Sequence, residues 1–180
     1  LKELDWESYR KRYSDIHRMD RILKAEGRSP DDYKVAKQAD TMMIQYNIDE
    51  EEVESLIKNL DYELPDNFLK KNFDYYIERT SHGSTLSRVV YAYLAEISGE
   101  GEKSWDLYHE SLASDYIDIQ GGTTGEGIHA GVMGGTVLSA LTLFCRFNWR
   151  GVALRIDPDL PNNWKKLRFH FTFRQDKYEF

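Results

Sequence analysis

Cysteine is almost absent from this sequence of 180 residues, in which Cys145 is the only one. A single thiol can form no internal disulfide, so nothing in the cysteine content demands a secreted, oxidising environment. No apolar stretch reaches the roughly 18 residues of a membrane-spanning helix, and no basic segment precedes an apolar run as in a signal peptide. We therefore expect a cytoplasmic protein that has no membrane partner.

Positive charge is also in short supply, because 24 Lys and Arg residues face 31 Asp and Glu residues, for a net charge of −7. A nucleic-acid or anionic membrane surface needs a local excess of cations, so we predict neither kind of partner. The net negative charge is still compatible with a small phosphate site, since a few hydrogen-bond donors can form one. The histidines are dispersed and show no metal-ligand spacing; they are His17, His82, His109, His129 and His170.

The ends of the sequence lead us to expect a fragment of a longer protein. The chain begins at Leu1 without an initiating Met. Its last residues, Lys177–Phe180, stop within an alternating, strand-like pattern.

Apolar residues recur at helical spacing through most of the chain. After a polar lead-in over residues 1–29, which we expect to be irregular, predicted helices cover residues 29–46, 49–60, 65–76, 86–97, 102–117 and 128–147. Small residues in the last of these, Gly131, Gly134 and Gly135, favour close approach of another backbone. From residue 152 the period changes to two, which predicts strands. The fold class is mainly α, with helical hairpins in a solenoid or a closed α/α toroid, followed by the opening strands of a β unit.

Two polar, glycine-containing loops each lead directly into a predicted helix, namely residues 80–85 and residues 120–127. Backbone N–H groups at helix starts, Ser and Thr hydroxyls and an imidazole can together bind an oxyanion. If alternate helices are parallel, both loops lie at the same end of the helices. The same sequence also fits two ordinary loops whose polar residues cap the following helices.

Two other catalytic arrangements have less support from the sequence. A relay of Ser84, His129 and an Asp lacks a nucleophile-elbow motif. Glu78 and Glu126 are candidate carboxylates of a hydrolase. Glu126, beside the glycine-rich loop, is the better candidate, whereas Glu78 fits a solvated helix end.

Four blocks resemble, in order and spacing, the disaccharide phosphorylases of glycoside hydrolase family sixty-five. They are Lys37–Asp40, Asn72–Tyr76, Thr80–Ser87 and Gly125–Thr136, and the stretch Asp157–Trp164 is similar to the start of that family's C-terminal β domain. The resemblance implies that residues 1–149 are the second half of an (α/α)6 toroid and residues 150–180 the truncated start of a β-sandwich. It also implies inverting phosphorolysis of an α-linked glucose disaccharide to β-glucose 1-phosphate, with phosphate as co-substrate and no cofactor.

The resemblance further implies roles for individual residues. Ser84, Thr85 and His129 match the family's phosphate-binding groups, and Lys37 and Gln38 match residues that contact glucose. The family's general acid, a Glu, lies upstream of Leu1, so we expect the fragment to be inactive without the missing N-terminal half of the same protein. The full-length protein is expected to be a homodimer.

One departure from the family's pattern and two alternative functions qualify these expectations. Gly83 stands where many members carry Asp, so we expect a looser loop and a different substrate. A hydrolase of the trehalase or kojibiose hydrolase type on the same fold, which would use Glu126, and a non-catalytic helical binding module are the alternatives.

Overall fold

The computed structural model of this chain describes residues 1–118, 125, 127–150 and 153–180, and these form two compact units. The first unit, Leu1–Ser139, is helical. Its helices are α1 (Trp6–Arg12), α2 (Met19–Ala25), α3 (Met43–Asn47), α4 (Glu50–Asn59), α5 (Phe68–Ile77), α6 (Thr85–Ile97), α7 (Gly101–Ala113) and α8 (Ala130–Ser139). None of the described helices combines the length and apolar character that crossing a membrane requires.

The second unit, Ala140–Phe180, begins with a π-helical turn, Ala140–Phe144, and ends in a two-stranded antiparallel sheet. Strands β1 (His170–Phe173) and β2 (Asp176–Glu179) pair in a hairpin. The Phe147 ring lies at the centre of an aromatic cluster, with ring centroids 5.4 Å from Phe169 and 4.8 Å from Phe171. The predicted fold class, mainly helical with opening strands at the C-terminal end, is confirmed.

Helix α6 is the central helix of the first unit. Its buried side chains occupy more than one face, since Val89, Val90, Tyr91, Ala92 and Leu94 are each at most 1% exposed. A helix that is apolar on several sides must be surrounded by other elements. Helices α3, α5, α7 and α8 all contact α6.

The predicted irregular lead-in is wrong, because it contains α1 and α2. The Asp5 carboxylate accepts a hydrogen bond of 3.0 Å from the Ser8 amide, which caps α1. Leu4, Tyr9, Met19 and Leu23 then form a small buried core. The few apolar residues of this segment are scattered among charged residues and give only a weak helical periodicity. The local sequence pattern therefore does not reveal that these apolar residues are buried between two helices.

The predicted helix over residues 29–46 is also wrong for most of its length. Ser29 does cap a 3-10 turn, Pro30–Asp32, through its hydroxyl. The backbone beyond it instead bonds to other segments: the Lys34 amide donates to the Lys2 carbonyl (2.7 Å) and the Ala36 amide to the Arg79 carbonyl (2.8 Å). Only α3 is α-helical in this stretch, because backbone groups distant in sequence satisfy the hydrogen bonds of the residues before it.

The long helix predicted over residues 128–147 ends as an α-helix at Ser139. A widened turn follows, in which the Leu141 carbonyl accepts from both the Cys145 amide (3.2 Å) and the Phe147 amide (3.1 Å). Among its glycines, only Gly135 is approached closely by a neighbour. A Cβ added there would lie 3.0 Å from Val89 Cγ1, whereas one at Gly131 or Gly134 would have no neighbour within 4 Å.

The contrast between Gly134 and Gly135 makes a matched test of the α6–α8 contact. Gly134→Ala is expected to raise the free energy of unfolding by about 0.5–1 kcal/mol, since alanine favours helix more than glycine does. Gly135→Ala is expected to lower it by about 1–3 kcal/mol, because the buried, β-branched Val89 cannot rotate away. Thermal and denaturant unfolding of the two variants measures the difference. Equal effects of the two substitutions would contradict this packing.

Candidate functional site

The loop that precedes α6 is held by backbone pairing with residues 36–37. The Ala36 carbonyl accepts from the Ser81 amide at 2.8 Å, and the Lys37 carbonyl accepts from the Gly83 amide at 2.7 Å. These bonds continue the parallel bridge between Ala36 and Thr80. Lys37 and Gln38, predicted as sugar-binding residues, are therefore fixed beside the loop of Ser84 and Thr85.

Gly83 is buried where three segments of the first unit meet. A Cβ built at this position would lie 2.5 Å from the His17 carbonyl oxygen and 3.0 Å from Lys37 Cγ. A real Cβ does not approach a backbone oxygen so closely, so the site accepts glycine alone. The expectation of a looser loop is wrong: the absence of a side chain lets the His17 backbone pack directly on the loop.

His82 is held in an uncommon backbone conformation inside the same loop. Its φ of 53° lies in the left-handed region, which is uncommon for residues other than glycine, although histidine adopts it more often than most. Its Nδ1 lies 3.0 Å from the Ser87 hydroxyl, and its ring packs edge-on against Tyr91 at 5.3 Å. Burial, together with the nearby charge of Arg88, lowers the pKa of His82 to about 3. The imidazole is therefore neutral at physiological pH.

Ser84 and Thr85 begin α6. Ser84 is the N-cap residue, and its side chain makes no capping hydrogen bond to the helix. Its hydroxyl is thus not committed to the role that serine usually has at this position. Thr85 is 4% exposed. The first amides of a helix have no partner within the helix and favour an anion.

His129 precedes α8 and is oriented by Asp115, which follows α7. One carboxylate oxygen of Asp115 accepts from the His129 amide at 2.7 Å, and the other lies 2.7 Å from Nδ1. Burial of Asp115 opposes its charge, but the hydrogen bonds from His129 outweigh burial and lower the pKa of Asp115. An ionised carboxylate can only accept, so Nδ1 carries a proton and Nε2 is the nitrogen available to a ligand.

The starts of α6 and α8 lie at the same end of the helices. Arg88, in the first turn of α6, binds Glu110 in the last turn of α7 at 2.5 Å. Asp115 binds His129 just beyond the same end of α7. Helix α7 is therefore antiparallel to both neighbours, and Ser84, Thr85 and His129 share one end of the array.

The remaining predicted site residues are less informative. The Gln38 amide donates to Asp40 at 2.7 Å, and Gln38 lines a small depression together with Leu86 and Ser87. Glu78 is 75% exposed beside Arg79, as expected for a solvated helix end. Glu126 lies outside the described residues. Within the described residues, no group of His, Cys, Asp and Glu side chains could hold a metal ion.

Asp115, His17 and Arg88 were missed as site residues at the level of sequence. Asp115 and Arg88 do flank the predicted loops, but no spacing rule relates Asp115 to His129 or Arg88 to Glu110. His17 lies 71 positions from Arg88 along the chain. Such pairings depend on the tertiary fold.

A helical array that brings hydroxyls, an imidazole and helix amides to one end can bind an oxyanion. Family models then identify the class of protein. Residues 1–138 match the glycosyl hydrolase family 65 central catalytic domain and residues 144–180 match the C-terminal domain of the same family. The chain belongs to glycosyl hydrolase family 65.

Individual relatives are disaccharide phosphorylases. A trehalose 6-phosphate phosphorylase of Lactococcus lactis is 50% identical over 99% of this chain and 23% of its own length. A kojibiose phosphorylase of Caldanaerobacter subterraneus is 32% identical over 81% of this chain and 18% of its own length. A solved structure from the human microbiome, provisionally described as a kojibiose phosphorylase, superposes with a TM-score of 0.62 at 21% identity, covering 82% of this chain and 20% of its own. The chain thus spans about a quarter or less of these relatives.

Gly83→Ala tests the close contact with His17. The added methyl group must displace the His17 backbone, so we expect the free energy of unfolding to fall by about 1–3 kcal/mol. Gly131→Ala, where nothing lies within 4 Å, is the matched control and is expected not to destabilise the protein. Denaturant unfolding compares the two. Equal stability of both variants would contradict the contact.

The neutral, partly buried His82 predicts a loss of stability in acid. Between pH 6.5 and about 3 the unfolded chain binds a proton at His82 that the folded chain does not bind, so stability falls as the pH is lowered. At about pH 5 the loss from this group is about 2 kcal/mol. His82→Asn keeps a side chain that tolerates positive φ and is expected to lose less stability between about pH 7 and about pH 5. Equal losses in the two proteins, measured by denaturant unfolding, would show that His82 is not buried as described.

Proposed function

We propose that this chain is part of an inverting α-glucoside phosphorylase, which converts an α-linked glucose disaccharide and phosphate to β-glucose 1-phosphate and a sugar. The observation that carries the proposal is the placement of Ser84, Thr85 and His129 at the starts of α6 and α8, at one end of the helices. Membership of family 65 and the phosphorylase relatives support it.

Phosphate is the nucleophile in this reaction, so the site must bind and aim an anion and needs no general base. The Ser84 and Thr85 hydroxyls and the first amides of α6 provide donors. With Nδ1 directed at Asp115, the His129 Nε2 either accepts from a protonated phosphate oxygen or, when the ring is charged, donates to a bare one. Placing phosphate opposite the leaving sugar gives inversion at C1.

Lys37 and Gln38 bind the sugar in this proposal. A pyranose ring presents alternating donors and acceptors, which an ammonium group and an amide can bind in combination. Because the Lys37 carbonyl is bonded to the Gly83 amide at 2.7 Å, a sugar bound by these residues would be placed next to the phosphate loop. This is the arrangement that an attack on C1 requires.

The proposal assigns the remaining machinery to a longer parent enzyme. The general-acid Glu that protonates the leaving oxygen belongs to the earlier half of the toroid, so this chain alone is expected to be inactive. Residues 1–149 are assigned to the second half of the (α/α)6 toroid and residues 150–180 to the start of the β-sandwich. The parent is proposed to be a cytoplasmic homodimer that uses phosphate as co-substrate and no cofactor.

The parent enzyme should cleave an α-linked disaccharide only when phosphate is present. Trehalose 6-phosphate is the first substrate to test, given the 50% identity to the Lactococcus relative, followed by trehalose and kojibiose. We expect β-glucose 1-phosphate as product, identified by NMR of the anomeric proton. Thr85→Val, which keeps the side-chain shape, is expected to raise the KM for phosphate about tenfold by removing one charge-assisted hydrogen bond.

Release of free glucose without phosphate would identify a hydrolase and direct attention to Glu126. Normal phosphate affinity in Thr85→Val would remove that hydroxyl from the proposed site. Ser104→Ala, in the buried face of α7, is the control for a hydroxyl lost elsewhere and should leave both KM values unchanged.

A further inference from the structure

Arg88 is a buried cation one turn after Ser84, and it bonds to three separate segments. Its side chain is 3% exposed. Nε donates to Glu110 at 2.5 Å, Nη2 to His17 Nε2 at 3.0 Å, and Nη1 to the His82 carbonyl at 3.4 Å. A buried guanidinium is stable only when its donors are satisfied, and its planar shape lets one side chain join all three acceptors.

The contact with His17 fixes which nitrogen of that ring carries a proton. A guanidinium has no acceptor atom, so His17 Nε2 must accept and the proton lies on Nδ1. The Nδ1 atom lies 2.9 Å from an Asp15 carboxylate oxygen. Burial and the charge of Arg88 both lower the pKa of His17, so its ring is neutral. Arg88 therefore supplies the positive charge of this cluster.

The carboxylates of Asp15 and Glu110 oppose this charge. Glu110 is 52% exposed, and solvent screens an exposed carboxylate more strongly than a buried guanidinium. Arg88 belongs to the first turn of α6, the turn that Ser84 and Thr85 begin, where the helix dipole is also positive.

The same guanidinium holds both sides of the tight loop at Gly83. It bonds to the carbonyl of His82, whose left-handed backbone needs support from its surroundings. It also bonds to the ring of His17, whose own carbonyl lies over Gly83. Loss of these bonds would free the two elements that define the entry into Ser84.

We propose that Arg88 is a positioning residue that fixes the loop of His82 and Gly83 so that Ser84 and Thr85 face phosphate. The inference rests on the proposed function for its effect on phosphate. Arg88 itself is too buried to contact a ligand and acts through the loop.

The test compares Arg88→Met and Arg88→Lys with the wild type in the parent enzyme. The first readout is hydrogen exchange of the amides of residues 82–87, which reports the order of the loop independently of enzyme activity. The second is the pair of KM values for phosphate and for the disaccharide. Leu107→Ala is the matched control, because Leu107 is 7% exposed in α7 and has no polar group to join the Arg88 cluster.

We expect Arg88→Met to speed amide exchange in residues 82–87 and to raise the KM for phosphate about tenfold or more, because the loop that orients Ser84 and Thr85 loses its charge-assisted hydrogen bonds. The KM for the disaccharide should change less than twofold. Arg88→Lys keeps the charge but cannot reach three acceptors, so its phosphate KM should be intermediate. Leu107→Ala should lower the melting temperature while leaving both KM values unchanged.

An unchanged phosphate KM in Arg88→Met, in an enzyme that requires phosphate, would overturn the inference even if the variant were less stable. A rise in phosphate KM of the same size in Leu107→Ala would also overturn it, because general destabilisation would then explain the effect. Failure of the wild type to use phosphate would overturn the proposed function instead. In that case the rate of amide hydrogen exchange in residues 82–87 of Arg88→Met decides whether Arg88 positions the loop.

Discussion

Three segments that are far apart in the chain meet at Gly83, and the close approach of the His17 carbonyl leaves room only for hydrogen at that position. This contact fixes the path of the loop into α6. The amide of the same glycine bonds to the Lys37 carbonyl, so one residue joins the candidate phosphate loop, the candidate sugar-binding segment and the N-terminal helices. A bulkier residue here would separate all three.

Helix α6 provides the support on which this junction rests. Its buried residues are packed against α3, α5, α7 and α8, so its N-terminal end can move little. Arg88 and Asp115 then tie the C-terminal end of α7 to the starts of α6 and α8. Hydroxyls on a rigid helix start and an imidazole oriented by a carboxylate form a preorganised arrangement, which is what binding an anion in a defined direction requires.

Local sequence signals predicted the parts of the fold that depend on local interactions. Helices α4 to α7 have regular apolar spacing, and all four were predicted. The stretch from residue 33 to 37 was mistaken for helix because its backbone partners, Lys2 and Arg79, are distant in sequence. Helices α1 and α2 were missed because each is 7 residues long and gains stability from the other rather than from its own pattern. The candidate residues Ser84, Thr85 and His129 came from motif resemblance, whereas Asp115 and Arg88 required the structure.

Phosphate is predicted to bind where α6 and α8 begin, and a crystal structure of the parent enzyme with phosphate is the most direct test. Phosphate oxygens are expected within about 3 Å of the Ser84 and Thr85 hydroxyls and of His129 Nε2, with the Arg88 guanidinium on the far side of the loop and not in contact with the ion. Phosphate bound at another place, with these side chains directed away from it, would show that this end of the helices is not the phosphate site.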